Sequence, residues 1–262
     1  MTLLGLREAY DTQVRHSAQA EGTGVVVESS SRIVRWVAAD GGDWSGITWS
    51  HLDASNADDE VAAQVAFFLA RGQCFEWKLY DYDRPSDLAA RLLAAGFAAE
   101  DEETLMIAEV SAVSTEVRLP DGVGLVAVTD EEGVNLLIDV HERVFGNDQS
   151  QLRRSLAAQL GPAATVAMVV AIAGDEPVCS GRVEFHPGRD FASLWGGGTL
   201  PVWRQKGIYR ALVAYRAQLA AARGYRYLQV DASSQSKPIL EHLGFVSIAS
   251  TTPYIWCPPV EP

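Results

Sequence analysis

The chain has 262 residues, enough for one large domain or two of modest size. Its 34 acidic side chains outnumber 21 Lys and Arg, and a net charge of −13 argues against a phosphate-neutralising nucleic-acid binder and against a polybasic membrane anchor. With 48% hydrophobic residues it can bury a sizeable core, and no apolar run approaches the roughly 18 residues that span a bilayer.

The first residues meet Arg7-Glu8 before any apolar core of a signal peptide forms. Cys74, Cys179 and Cys257 lie far apart, which is neither a disulfide framework nor a metal spacing. These features predict a reducing, cytoplasmic setting and no metal. Further on, Asp58-Asp59-Glu60 opens a helix carrying Val61, Val65, Phe68 and Leu69, and Gly72 ends it. Residues 74–80 read as a strand by alternation and aromatic content. Residues 83–87 start a short helix with Leu88 and Leu92, closed by Gly96-Phe97, and strand resumes at 105–108.

After a Ser/Thr/Pro/Gly-rich passage at 111–122 the pattern continues with a strand at 124–128. Thr129 and Glu132 form a capping box before a helix whose apolar stripe is Val134, Leu137, Ile138, His141 and Phe145; His141 reads there as a satisfied core histidine. Residues 150–160 form a second short helix. Strands at 166–173, 178–185 and 191–200 follow, turning at Gly174–Pro177 and Pro187–Asp190. Residues 207–223 are helical, 225–230 a strand, 236–243 a short helix closed by Gly244-Phe245, and 254–256 a last strand. Ala70-Arg71-Gly72 recurs as Ala222-Arg223-Gly224, and Gly96-Phe97 as Gly244-Phe245. Like elements in like order predict an α/β (mixed-sheet) protein of two related domains, 1–112 and 113–262.

One segment carries chemistry: a strand ending at Gly196-Gly197-Gly198-Thr199-Leu200-Pro201, the basic loop 203–206, and a helix beginning at Gly207. Free amides and the positive dipole end at a helix start make an anion site. Arg204, Lys206 and Arg210 place three cations there on an otherwise acidic chain. The spacing is neither a P-loop nor a dinucleotide fingerprint.

From about Val123 to Trp256 the sequence resembles the GNAT superfamily of acyl-CoA-dependent N-acyltransferases, through Thr199-Leu200-Pro201, Arg204-Gln205-Lys206-Gly207-Ile208-Tyr209 and residues 239–245. Tyr209 departs from the family's Gly or Ala at the last loop position. The resemblance implies two GNAT-like domains in tandem, acetyl-CoA as co-substrate, and an N-acetyltransferase acting on a small-molecule or peptide amine. It implies a CoA pyrophosphate on Gln205, Lys206, Gly207, Ile208 and Tyr209, with Arg204 beside them. It also implies a pantetheine arm along Gly198, Thr199 and Leu200. Ser233 and Ser236 are further cofactor candidates or, equally, helix caps. The family's usual acid, a Tyr, falls at Leu240, so Tyr254 and Tyr209 are substitutes, while Glu184 is the candidate base. In the first half the matching loop, Asp53–Glu60, has no glycine and no cation, so that half reads as a degenerate GNAT-like domain that does not bind CoA there and packs, shapes the acceptor cleft or forms a homodimer. The competing readings are a non-catalytic acyl-CoA sensor and a dimeric interaction scaffold.

Overall fold

A computed structural model of the chain describes residues 2–18, 25–39, 44–146, 148–161 and 165–259. The fold is mixed α/β, in two compact units. The first takes in the described residues up to Leu105 and those from Ile248 onward. It holds α1 (Leu3–Tyr10), continued as a π-helical stretch Asp11–His16, then β1 (Val25–Ser29), β2 (Ile33–Ala38), β3 (Gly46–Ser50), α2 (Ala57–Leu69), β4 (Phe75–Tyr80), α3 (Leu88–Ala94) and β5 (Ala98–Ala99). Strand β6 (Glu103–Glu109) crosses the division. Its mixed sheet runs β1-β2-β3-β4 and is completed by β12 (Val246–Trp256), with β3 and β4 parallel and β12 antiparallel to β4. Phe68 stacks on Phe75 at 4.1 Å in a core that includes Trp77, Leu88, Leu92, Tyr254 and Trp256.

The second unit, Met106 to Ser247, holds β7 (Val123–Val128), α4 (Glu131–Phe145), α5 (Ser150–Ala158), β8 (Val166–Ala173), β9 (Glu176–Phe185), β10 (Phe191–Thr199), α6 (Ile208–Ala222), β11 (Tyr227–Ala232) and α7 (Lys237–His242). The sheet order is β6-β11-β10-β9-β8-β7; the pairs from β7 to β10 are antiparallel and β10–β11 is parallel. Alternate residues of β8 explain the two-layer packing. Val166, Met168 and Val170 face α4 and α5, while Val169 and Ala171 face Ile208 and Leu212 of α6.

Three expectations need correction. The division falls after Leu105, and the final strand returns to the first unit, so 113–262 is not one body. The cause is β12: it pairs with β4 through Thr251↔Tyr80 to Trp256↔Phe75. The same ladder brings Cys74 and Cys257, next in register, to a Cα–Cα distance of 4.1 Å, and they form a disulfide across a sequence separation of 183. Cys179 is free, and the reading that the cysteine spacing holds no disulfide, with the reducing setting drawn from it, is corrected. Finally, α4 is capped by Asp130, whose carboxylate accepts from Gly133 N at 2.9 Å, and not by Thr129. Asp130 is the last extended residue before the helix, so its side chain is the one in position. No helix among the described residues is long and apolar enough to cross a membrane, and no His/Cys/Asp/Glu group among them could hold a metal ion.

Candidate active site

The site is made by two strands that part. β10 and β11 pair only at Phe191↔Tyr227, Ala192↔Leu228 and Ser193↔Gln229. Gln229 donates to Ser193 Oγ at 2.6 Å, and His186 Nε2 lies 2.6 Å from the same oxygen, tying the sheet together at the last pair. Beyond it β10 bulges. Trp195 opposes Arg182 and Gly198 opposes Ser180, one residue more on β10 than on β9, with Gly196 at φ +58°. A Cβ at Gly196 would lie 3.0 Å from His141 Nε2 and 3.1 Å from an Arg182 nitrogen, and one at Gly197 would lie 2.9 Å from the Tyr209 ring. Glycine is what lets those side chains close on the kink.

A cavity of about 610 Å³ follows, between the diverging strands. Gly197, Gly198 and Thr199 line one wall and Ser233, Ser236 and Ile239 another, with Val144 and Phe145 reaching in from α4. Its far end is the loop into α6. There Gln205 (φ +62°) and Gly207 (φ +83°) both sit in the left-handed region, and Gly207 caps α6 with no side-chain hydrogen bond. The first amides of α6 have no partner within the helix, and residues 207–210 that carry them line this end. A Cβ on Gly207 would meet nothing within 4 Å, so the approach is open. Arg204 and Arg210 also line the cavity. Arg204 Nε donates to Thr199 O at 3.1 Å, and Lys206 Nζ stands 4.3 Å over the Trp203 ring.

The structure brings together Gly198, Thr199, Arg204, Gln205, Gly207, Ile208, Tyr209, Ser233 and Ser236 as cavity residues. Leu200 is not among them: it is 3% exposed, and its N–H already donates to Val178 O at 2.9 Å. Lys206 lies outside on Trp203. Ser233 and Ser236 hydroxyls are 3.3 Å apart. Tyr254 packs in the core of the first unit, opposite Trp77 and Ala99, and is not a cavity residue. Glu184 is held by Arg182 Nε at 2.8 Å on the α4 side of β9, off the cavity wall. Leu240, where the family's Tyr would stand, is fully buried in the core under α6 and α7.

Sequence reasoning missed three groups. His141 is not a satisfied core histidine: Nδ1 is buried without a hydrogen-bond partner among the described residues. Burial first, and the Arg182 charge second, push its pKa down to about 4, so the ring is neutral. Arg216 is 1% exposed and donates to two backbone carbonyls, Leu212 O at 3.2 Å and Arg182 O at 3.1 Å, with the Tyr209 hydroxyl beside its head. Gly197, which lines the cavity, lies against both the Tyr209 ring and the Arg216 head. The run Gly196-Gly197-Gly198 was the available signal, since three glycines in a strand mark space for something else.

No family model matches the sequence, and no curated protein matches it. Among solved structures, a GCN5-related N-acetyltransferase from Kribbella flavida is similar at a TM-score of 0.68 and 18% identity, covering 90% of each chain. A conserved Staphylococcus epidermidis protein described as functionally unknown aligns at a TM-score of 0.70 and 14% identity, over 95% of this chain and 98% of that one. A tandem GNAT protein from the clavulanic acid biosynthesis pathway aligns at 0.60 and 13%, over 92% and 86%. The chain therefore has the fold of the GCN5-related N-acetyltransferases across nearly its whole length.

Proposed function

We propose that the chain is an acetyl-CoA-dependent N-acetyltransferase whose chemistry resides in the second unit. The observation that carries this reading is the slot itself. Two parallel strands part after Ser193 and Gln229, and the opening leads to a glycine-started helix flanked by Arg204 and Arg210. Edge groups of Gly198 and Thr199 suit an extended amide chain laid beside them, and the amides of the α6 entry suit a diphosphate. A volume of about 610 Å³ is of the size that holds a cofactor arm.

In this reaction the amine nitrogen forms a bond to the thioester carbonyl carbon, the C–S bond breaks, and the thiolate takes a proton. Tyr209 is the donor in this proposal, because it is the tyrosine at the cavity wall. Burial raises its pKa and keeps it protonated at neutral pH. Glu184, paired with Arg182 and set off the cavity wall, is the carboxylate offered to the proton leaving the amine. The acceptor is an amine, small or peptidic, which the net charge of −13 would attract in cationic form. The two units are read as a tandem, the first without a CoA site, since Asp58, Asp59 and Glu60 fill the first turn of its helix α2.

A second reading, an acyl-CoA sensor, is favoured by the burial of Leu240 at the usual acid position. Calorimetry with acetyl-CoA, followed by thiol release across an amine panel, separates the two. Binding with turnover supports the enzyme, binding without turnover supports the sensor, and no heat of binding overturns both.

A further inference from the structure

The guanidinium of Arg216 is a buried cation whose charged and titratable neighbours are Tyr209 on its own helix and Cys179 and Arg182 on β9; no carboxylate is among them. A cation taken out of water without a counter-charge is costly, and such groups are ordinarily paired. Here two glycines make the space for it. A Cβ on Gly181 would come within 3.0 Å of Arg216 Nη1 and 3.2 Å of Cζ, and one on Gly197 within 3.5 Å of Nη2. Nε and Nη1 are taken by carbonyls, and Nη2 has no partner within ordinary hydrogen-bond distance among the described residues, the Tyr209 hydroxyl being the side-chain group that couples to the head. That free end lies toward Gly197, on the cavity wall, where the Tyr209 ring also packs. Cys179 does not supply the missing charge: burial holds its thiol up at about 11 and Sγ lies 3.0 Å from Thr199 Oγ1.

We infer that Arg216 is the positioning residue for the proton donor at 209, a fixed positive charge matched to an anion that exists only during turnover. This rests on the acyltransferase reading above. When the C–S bond breaks, the Tyr209 hydroxyl gives its proton to the departing sulfur and is left as a phenolate. The negative charge then forms beside Arg216. The phenolate recovers a proton from solvent, to which Glu184 passes the one taken from the acceptor amine, so the cycle closes. A charge already in place needs no rearrangement when the phenolate appears, and it favours the transition state over the ground state.

The test measures Tyr209 directly and separately from turnover. In the full chain with ζ-carbon-labelled tyrosine, the Tyr209 signal, identified by its loss in Tyr209→Phe, is titrated in the parent, Arg216→Met and Arg216→Lys. Tyr209 should titrate at higher pH in Arg216→Met and closer to the parent in Arg216→Lys. Thiol release should fall 10- to 100-fold in Arg216→Met, through kcat, with acetyl-CoA affinity within about threefold of the parent. An unmoved Tyr209 titration overturns the inference, as does a parent-like kcat and pH profile in Arg216→Met. Should Arg216→Met not fold, Arg216→Gln, which also removes the charge, takes its place: an upward shift of the Tyr209 titration supports the inference and an unmoved one overturns it. If the parent binds no acetyl-CoA, the acyltransferase reading falls, and the titration still reports whether the two side chains are coupled.

Discussion

Gly207 shows how much one residue decides. Its φ of +83° is open to glycine at no steric cost, and nothing stands where a side chain would begin. Gly207→Glu puts bulk and a negative charge where the diphosphate would lie. Acetyl-CoA binding should vanish in calorimetry, while the left-handed conformation costs about 1–2 kcal/mol in denaturant unfolding. Binding at parent affinity would show that the loop has been misread. His141 gives a pH prediction. Its folded pKa of about 4 lies below the ordinary 6.5, so protonation favours the unfolded chain. The neutral ring's contribution is fully present above about pH 6.5 and is lost as pH falls from there through 4. In His141→Gln, urea unfolding should therefore lose less stability between pH 7.5 and 5 than in the parent. The residues of the loop were legible because their meaning is local: glycine, cations and a helix start within a few positions. His141 and Arg216 were not, because each depends on strands that sequence does not place beside it.

The same helix ending is used twice. After α2, Gln73 N donates to Phe68 O at 3.1 Å around Gly72; after α6, Tyr225 N donates to Ala220 O at 3.0 Å around Gly224. The short helices close alike, Phe97 N on Leu92 O and Phe245 N on Leu240 O, both at 3.1 Å, around Gly96 and Gly244. These turns were readable as repeated Arg-Gly and Gly-Phe pairs, because a six-residue closure is written in six residues. The strand partners were not, and that is why the Cys74–Cys257 pair went unseen. The disulfide ties β12 to β4 at one end of their ladder. Cys257→Ser should lower stability by about 2–4 kcal/mol. Hydrogen exchange should rise in β4 and β12 before it rises in α6. Unchanged protection there would mean that the crosslink holds nothing the ladder does not.

Over the whole molecule, the two units repeat the same helix closures but not the same charge pattern. Asp58 of α2 meets Arg91 of α3 at 2.7 Å on the surface, a pair that serves packing rather than ligand. Asp58→Ala should leave acetyl-CoA affinity unchanged in calorimetry and thermal unfolding nearly so; a large loss of affinity would place the site in the wrong half. Saturating acetyl-CoA should slow hydrogen exchange in the second unit by up to the binding free energy, about 2.7 kcal/mol at a hundredfold excess over Kd, with the first unit little changed.

The return of β12 has a consequence for how the chain is made. The antiparallel partner of residues 75–80 is synthesised some 170 positions after them, when the whole of residues 106–247 has already been made. The lobe begun first is the one finished last, and until the final strand arrives β4 waits with a bare edge.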